Sequence, residues 1–321
     1  MIEALRQCGI KIDMDSLDQS NHITVYGIHG IIRSAQKQIT LHVGQSGTCF
    51  RFLIGFLCGL RYQPSTIPTE KAQSIEIVIT GHSSLLNRPI QPLLDALQQN
   101  GHDIQINSSQ EVCIKIPSYF KDVQKKIILR ESISSQFISS LLMSSQNIII
   151  QTPLETVSQS YIDLTIHCME QFQRPVLITK DHTSIQYHLE DSLENPSEYT
   201  IEMDATSAVY PMVWSYLTGK QILITNWFQN NKQGDSQLLL DISQKLGVPI
   251  QFKKTGAICD FRDIPSIDHN IIIDMDSSDT FMTVALIASK FKEGIELTLT
   301  NIENQNVKES RRIDAIIQAL N

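Results

Sequence analysis

The chain has 321 residues, 41% of them hydrophobic and 19% charged, which is ordinary for a folded protein and too long for one small domain. Its net charge is −8, and no run of Lys or Arg is long enough to form a nucleic-acid or membrane-surface footprint, so an anionic substrate needs a local basic site. The longest apolar run, Phe52 to Leu60, falls short of the roughly 20 residues a membrane helix requires and reads as a buried helix with Arg51 abutting it.

In chain order, one pattern recurs: an amphipathic helix, a glycine or turn, then a short β-branched strand. The first ten residues begin it, with Ile2 and Leu5 ahead of Gly9 and the strand-like Ile10-Lys-Ile12. A strand is predicted over Gln38 to Val43 and another over Ile75 to Thr80. Between them Arg61 to Ala72, with two prolines, is expected to be a long surface loop. The clearest copy runs from Arg88 to Ile106. Ile90, Leu93, Leu94 and Leu97 line one helical face, Gly101 stands where a helix end wants a left-handed residue, and Ile104 and Ile106 alternate as in a half-buried strand.

Strands follow over Lys126 to Leu129 and Asn147 to Thr152, and Tyr161 to Phe172 repeats the helix, leading into Pro175-Val-Leu-Ile-Thr179. Leu193 to Tyr199 has turn composition and marks the expected domain boundary, giving domains over 1–199 and 200–321. The second half offers strands over Gln221 to Thr225, Ile271 to Asp274 and Glu296 to Thr300, and a further copy in Leu239, Ile242, Leu246, Gly247 and Val248 to Phe252. The last copy, Arg312 to Leu320, reaches Asn321 without its partner strand, and Met1 opens directly on a helix; the pattern leads us to expect a unit incomplete at both termini. The fold class is α/β (α+β). The six cysteines, Cys8, Cys49, Cys58, Cys113, Cys168 and Cys259, lack metal-ligand spacing and are expected to be reduced, buried thiols in a cytoplasmic protein.

Four segments combine small polar residues with the head of an apolar helix. Gly44-Gln-Ser-Gly-Thr-Cys-Phe-Arg51 follows a strand, so backbone N–H groups and a helix N-terminus can hold an anion there; a turn that needs glycine for its backbone is the plainer reading. Ser134, Ser135 and Gln136 precede Phe137 to Met143, either as helix caps or as phosphate donors. Met203 to Tyr210 and Asp276 to Thr283 repeat the arrangement, with Asp204 and Asp279 expected at N-cap or first-turn positions favoured by the helix dipole. In Asn301 to Arg312, Lys308 and Arg312 stand four apart on one expected helical face, which suits a phosphate or carboxylate, though most charge runs are solvated faces.

In this order, seven strings resemble the EPSP synthase family, in wording most like the EPSP synthase portion of the multifunctional AROM protein: Gly44 to Leu53, Asn87-Arg-Pro-Ile90, Ser134-Ser-Gln-Phe137, Ser158-Gln-Ser-Tyr-Ile-Asp163, Asn195-Pro-Ser-Glu-Tyr199, Asp204-Ala-Thr-Ser-Ala208 and Asn304-Gln-Asn-Val-Lys-Glu309. The resemblance spans nearly the whole chain and implies a two-domain enolpyruvyl-transferase fold of repeated βαβαββ units closing over a cleft. It implies an enzyme that moves the enolpyruvyl group of phosphoenolpyruvate to shikimate 3-phosphate, with no metal, no organic cofactor, no nucleic acid and no membrane partner, and possible membership of a larger multifunctional polypeptide. Carried over, Ser134, Ser135, Gln136, Ser158, Tyr161, Asp279, Asn304 and Lys308 are expected to bind shikimate 3-phosphate, the first five on the first domain. Gly47, Thr48, Arg88, Gln136 and Arg312 are expected to bind phosphoenolpyruvate, while Asp279, Glu309 and Lys308 are the expected catalytic set.

The sequence departs from the family pattern as well. Family members carry a Lys-Ser pair and an Arg on a strand and loop ahead of the position of Met1, and another Arg and a Lys past that of Asn321, and these are expected to be missing here; Gln45 replaces the usual Asn, and Phe52 a frequent Pro. A catalytically inactive relative that at most binds shikimate 3-phosphate is therefore the alternative. A UDP-sugar enolpyruvyl transferase, which shares the fold, is disfavoured by Ser134-Ser-Gln136 and Lys308-Glu309.

Overall fold

The computed structural model describes residues 1–14, 22–64, 74–119, 126–130, 133–156, 158–190, 198–275, 278–307 and 310–320. The chain forms two compact units, Met1–Val157 with Phe172–Glu194, and Ser158–Gln171 with Asn195–Asn321. A single boundary at 199 was expected; instead Ser158–Gln171 groups with the second unit, and Phe172–Glu194 with the first. Of the expected turn, Leu193 to Tyr199, residues 193–197 lie outside the described residues.

The first unit opens with α1 (Ile2–Gln7), β1 (Ile12–Met14), β2 (Ile23–Val25) and β3 (Ile31–Ser34). It continues through β4 (Gln38–His42), α2 (Gly47–Cys58), β5 (Arg61–Pro64), β6 (Ser74–Thr80), α3 (Ser83–Leu86), α4 (Gln91–Gln99), β7 (Asp103–Ile106) and β8 (Val112–Pro117). Next come β9 (Lys126–Ile128), α5 (Ser135–Ser144) and β10 (Ile148–Pro153). The chain then leaves for the second unit as α6 (Gln159–Gln171) and returns as β11 (Val176–Lys180) and β12 (Ser184–Leu189). Arg61 to Pro64, expected in a loop, is a strand because it pairs in parallel with β3 across 30 residues, a partnership that local composition does not signal.

Two four-stranded sheets, β4-β6-β8-β7 and β11-β12-β10-β9, share one connectivity. In each, a parallel pair, β4 with β6 or β9 with β10, is extended by two antiparallel partners. This is the βαβαββ repeat that the family resemblance implied; the helix–glycine–strand pattern by itself anticipated only a duplicated α/β unit. Alternation places Ile39 and Leu41 of β4, and Ile148 and Ile150 of β10, inside. The Gln99 side chain ties the two copies together, donating to Ile128 O at 3.0 Å and accepting from Ile128 N at 3.1 Å.

α2 and α5 pack against each other, with Gly55 set directly against Ser140. A Cβ on Gly55 would stand 2.4 Å from Ser140 Oγ, so only glycine allows the two backbones this near. Leu53, Ile54 and Leu57 of α2 and Phe137, Leu141 and Leu142 of α5 are fully or almost fully buried, each worth about 1.5–3 kcal/mol of burial.

The second unit adds α7 (Ala205–Thr218), β13 (Gln221–Thr225), α8 (Gly234–Lys245), β14 (Gln251–Lys253) and β15 (Gly256–Asp260). After these come β16 (Ile271–Asp274), α9 (Phe281–Ala285), β17 (Leu297–Thr300), a 3-10 turn over Glu303–Val307 and α10 (Arg312–Leu320). The order β13-β15-β14 repeats the last three positions of the larger sheets, with α8 in the place of α4. β16 and β17, parallel with α9 between them, repeat the opening βαβ. Trp227, Phe261, Tyr216 and Phe281 anchor this core, and Trp227 Nε1 donates to Ser236 Oγ at 2.7 Å. Among the described residues no helix is long and apolar enough to cross a membrane.

Candidate active site

In the first unit the site is built at the N-terminus of α2. Gly44, at φ +62°, turns the chain out of β4, and Ser46 caps α2 by accepting from Cys49 N at 3.2 Å. The first turn then carries Gly47 and Thr48. A Cβ on Gly47 would stand 3.3 Å from Arg88 Nη1 and 3.8 Å from Arg51 Nη1. Two guanidinium groups thus lie against the bare backbone of a helix start.

Arg51 donates to Gln136 Oε1 at 2.8 Å and to Ser134 Oγ at 3.3 Å, and Gln136 Nε2 donates to Thr48 Oγ1 at 3.1 Å. Its guanidinium lies over the Phe137 ring, 5.1 Å from the centroid. Burial, and then the neighbouring charge of Arg88, push its pKa down to about 10. The structure therefore brings together six residues of the first unit: Gly47, Thr48, Arg51, Arg88, Ser134 and Gln136. Ser135 lies buried at the first position of α5. Ser134 is the N-cap of α5, but its hydroxyl makes no capping bond and instead accepts from Arg51.

Arg51 is the member that the sequence reading left off the site. Its signal was present: a cation directly before a nine-residue apolar run, Phe52 to Leu60, in a helix that otherwise buries its face.

Ser158 and Tyr161, expected on the first domain, belong to the second unit. Ser158 takes φ +56° just before α6, a left-handed conformation uncommon outside glycine. Tyr161 stands in the first turn of α6. Its hydroxyl is held above the usual tyrosine pKa by burial and by the charges of Asp235, Asp279 and Asp204.

Asp279 precedes α9, whose N-cap is Thr280; the carboxylate expected in the first turn instead pairs outward with Arg312. Arg312 opens α10, and its Nη1 lies 2.8 Å from Asp279 Oδ1 and donates to Gln305 Oε1 at 3.1 Å. Gln305, fully buried, donates in turn to Ser278 O at 3.2 Å. The amide thus bridges the guanidinium to the turn that carries Asp279, a role that the sequence reading did not assign. Lys308 and Glu309 lie outside the described residues, as does the side chain of Asn304.

The family model of EPSP synthase (3-phosphoshikimate 1-carboxyvinyltransferase) matches residues 1–321. Part of the pentafunctional AROM polypeptide of Scheffersomyces stipitis is 32% identical over 315 residues, covering 94% of this chain and 19% of that protein. The 3-phosphoshikimate 1-carboxyvinyltransferase of Buchnera aphidicola subsp. Cinara cedri is 32% identical over 324 residues, covering 98% of the chain and 68% of that protein. The chain thus spans about a fifth of the AROM polypeptides it matches and about two thirds of the bacterial relative. Among solved structures, the enolpyruvyl transferase NikO from Streptomyces tendae has the same fold, with a TM-score of 0.58 at 10% identity over 93% of this chain and 66% of that one.

Proposed function

The chain belongs to the EPSP synthase family, and from that premise we propose that it transfers the enolpyruvyl group of phosphoenolpyruvate to the 5-hydroxyl of shikimate 3-phosphate, releasing phosphate. The observation that carries this reading is the Arg51–Arg88 pair at the start of α2, joined to Gln136, Ser134 and Thr48. Adjacent, partly desolvated guanidinium groups beside a helix N-terminus repel each other and are stabilised by a dianion, which is what phosphoenolpyruvate offers.

In the reaction the substrate hydroxyl adds to the enol carbon while the methylene carbon gains a proton. The tetrahedral intermediate then loses that kind of proton from its methyl group as the carbon–oxygen bond to phosphate breaks. Asp279 takes the hydroxyl proton, and Glu309 and Lys308 serve the methylene carbon. Arg88, Arg312, Gly47, Thr48 and Gln136 hold phosphoenolpyruvate, with Arg51 added to them. Ser134, Ser135, Gln136, Ser158, Tyr161, Asp279, Asn304 and Lys308 hold shikimate 3-phosphate. Cations that meet the departing phosphate stabilise charge where it develops.

A place within a larger polypeptide belongs to the same reading and is supported by the AROM relatives. So does a cytoplasmic location, supported by six cysteines that all stand free. The test is calorimetric titration with shikimate 3-phosphate, then with phosphoenolpyruvate, beside a phosphate-release assay. Binding of both ligands with release of phosphate is expected. A folded chain that binds neither ligand and releases no phosphate would end this reading, and binding without release would leave only the inactive relative.

A further inference from the structure

The parallel strands β16 and β17 end side by side, with Asp274 opposite Thr300. The turn beyond β16 carries Ser278, Asp279 and Thr280, and beyond β17 lies the 3-10 turn Glu303–Val307, with Gln305 at its centre. Side chains cross between the two exits: Asn301 Nδ2 donates to Asp274 Oδ1 at 2.8 Å. Ser278 and Thr280, both buried, are joined through their hydroxyls at 2.8 Å, and Thr280 N donates to Ser278 Oγ at 3.2 Å. These bonds fix the Ser278 peptide, and with it the carbonyl that faces Gln305.

Two amide side chains are buried among the described residues, Asn100 and Gln305, and only Gln305 is buried completely. Taking an amide out of water costs stability unless its two ends find partners. Here they do: Gln305 Nε2 donates to Ser278 O at 3.2 Å, and Oε1 accepts from Arg312 Nη1 at 3.1 Å. A carbonyl oxygen offers no proton and a guanidinium no lone pair, so the amide fits in this orientation and not in the reverse one. A methionine would fill the same space with no such group to satisfy. Packing therefore gives no reason for an amide here, and the bond to Arg312 does.

Arg312 Nη1 also meets the Asp279 carboxylate at 2.8 Å, but the two acceptors differ. Asp279 is half-exposed, and in the proposed reaction it takes up the hydroxyl proton, so its hold on the guanidinium weakens during turnover. Gln305 is neutral and enclosed, and its carbonyl is unchanged by that step. We propose that Gln305 is a positioning residue: its amide ties the Arg312 guanidinium to the Ser278 carbonyl, so that the cation keeps its place with or without the Asp279 carboxylate. The functional half of this proposal rests on the reading of Arg312 as a ligand of phosphoenolpyruvate. A neutral acceptor suits that task, because it orients the guanidinium without cancelling the charge that an anion needs. An arginine ordered beforehand also loses less freedom on binding.

The experiment uses the whole chain labelled with 15N-arginine, in which a held guanidinium shows separate Nη signals and a freely rotating one shows them merged. The Arg312 signals are assigned by their absence in Arg312→Met. They are separate in the unsubstituted chain and in Asp279→Ala, and they merge when Gln305→Met is added to Asp279→Ala. With Gln305→Glu in its place, which retains the acceptor, they stay separate. In parallel, phosphate release reads a KM for phosphoenolpyruvate raised roughly tenfold in Gln305→Met, the low end for a hydrogen bond to a charged group. The KM for shikimate 3-phosphate stays within a few-fold, and Gln305→Met added to Arg312→Met raises the phosphoenolpyruvate KM no further. Signals that merge in Asp279→Ala alone, where Gln305 is untouched, or that stay separate once Gln305→Met is added, overturn the proposal whatever the ligand does. An unchanged phosphoenolpyruvate KM in Gln305→Met overturns its functional half. If the signals behave as expected but the unsubstituted chain releases no phosphate, the positioning stands and the functional reading fails.

Discussion

Arg312 Nη1 lies 2.8 Å from Asp279 Oδ1, with the Arg312 side chain 14% exposed and that of Asp279 46%. The guanidinium is covered and the carboxylate keeps an open side, so the pair aims a proton acceptor outward rather than closing on itself. Asp279→Asn keeps the shape and removes the acceptor. We expect kcat to fall by about a hundred- to ten-thousandfold, the usual contribution of a positioned base, with affinity for shikimate 3-phosphate changed only a few-fold. Phosphate release and calorimetry measure the two quantities, and an unaltered kcat would remove Asp279 from the proton transfer.

Arg51 is held in its charged form against both burial and the charge of Arg88, which is why its pKa falls to about 10. At neutral pH it remains charged, and that charge opposes folding until an anion arrives. Arg51→Met should leave the unfolding free energy within about 1 kcal/mol of the unsubstituted chain, because relief of repulsion offsets lost hydrogen bonds. Inorganic phosphate should stabilise the unsubstituted chain against urea and the variant much less. Equal stabilisation of both chains by phosphate would show that Arg51 does not face the anion.

The helices were legible where one apolar face and a glycine stop coincide. Ile90, Leu93, Leu94 and Leu97 ahead of Gly101 became α4, and Gly101 takes φ +83°. The strands β8 and β15 were not read, since each lies in the middle of its sheet with neighbours on both edges and does not alternate cleanly; three successive residues, Val112, Cys113 and Ile114, are buried. The periodicity of α6 reported a buried face of Ile162, Ile166 and Met169 but not which core receives it, so Ser158 and Tyr161 were assigned to the other unit. In the site, Arg51 and Gln136 are 85 residues apart in sequence. Local patterning marks each as polar at a helix head and carries nothing about their meeting, which depends on the packing of α2 on α5.

That packing supplies a stability prediction. Gly55→Ala would gain about 1 kcal/mol of helix propensity, yet its Cβ would fall 2.4 Å from Ser140 Oγ and 2.9 Å from Ser140 O. The hydroxyl also donates to Arg51 O at 2.8 Å, and the carbonyl oxygen is backbone, so neither gives way freely. Overpacking should prevail, with a net loss of about 1–3 kcal/mol. Adding Ser140→Ala should recover part of the loss, because it removes the hydroxyl and leaves the carbonyl. Urea denaturation of the single and double variants checks this, and a Gly55→Ala chain as stable as the unsubstituted one would refute the close approach.

His102 follows the left-handed Gly101 at the end of α4, and burial lowers its pKa from 6.5 to about 4. The folded state therefore keeps the imidazole neutral at pH values where the unfolded chain has already taken up a proton. Stability from this group is complete above pH 6.5, falls as the pH drops from there toward 4, and levels off below. By pH 5 the loss amounts to roughly 2 kcal/mol, at 1.36 kcal/mol for each pH unit. Asp181, whose carboxyl is brought down to about 2 by the backbone and hydroxyl of Thr183, titrates below this window and does not confuse it. Urea denaturation at pH 7 and pH 5 should show the decline in the unsubstituted chain and a smaller one in His102→Gln. The same decline in both would mean that another group takes up the proton.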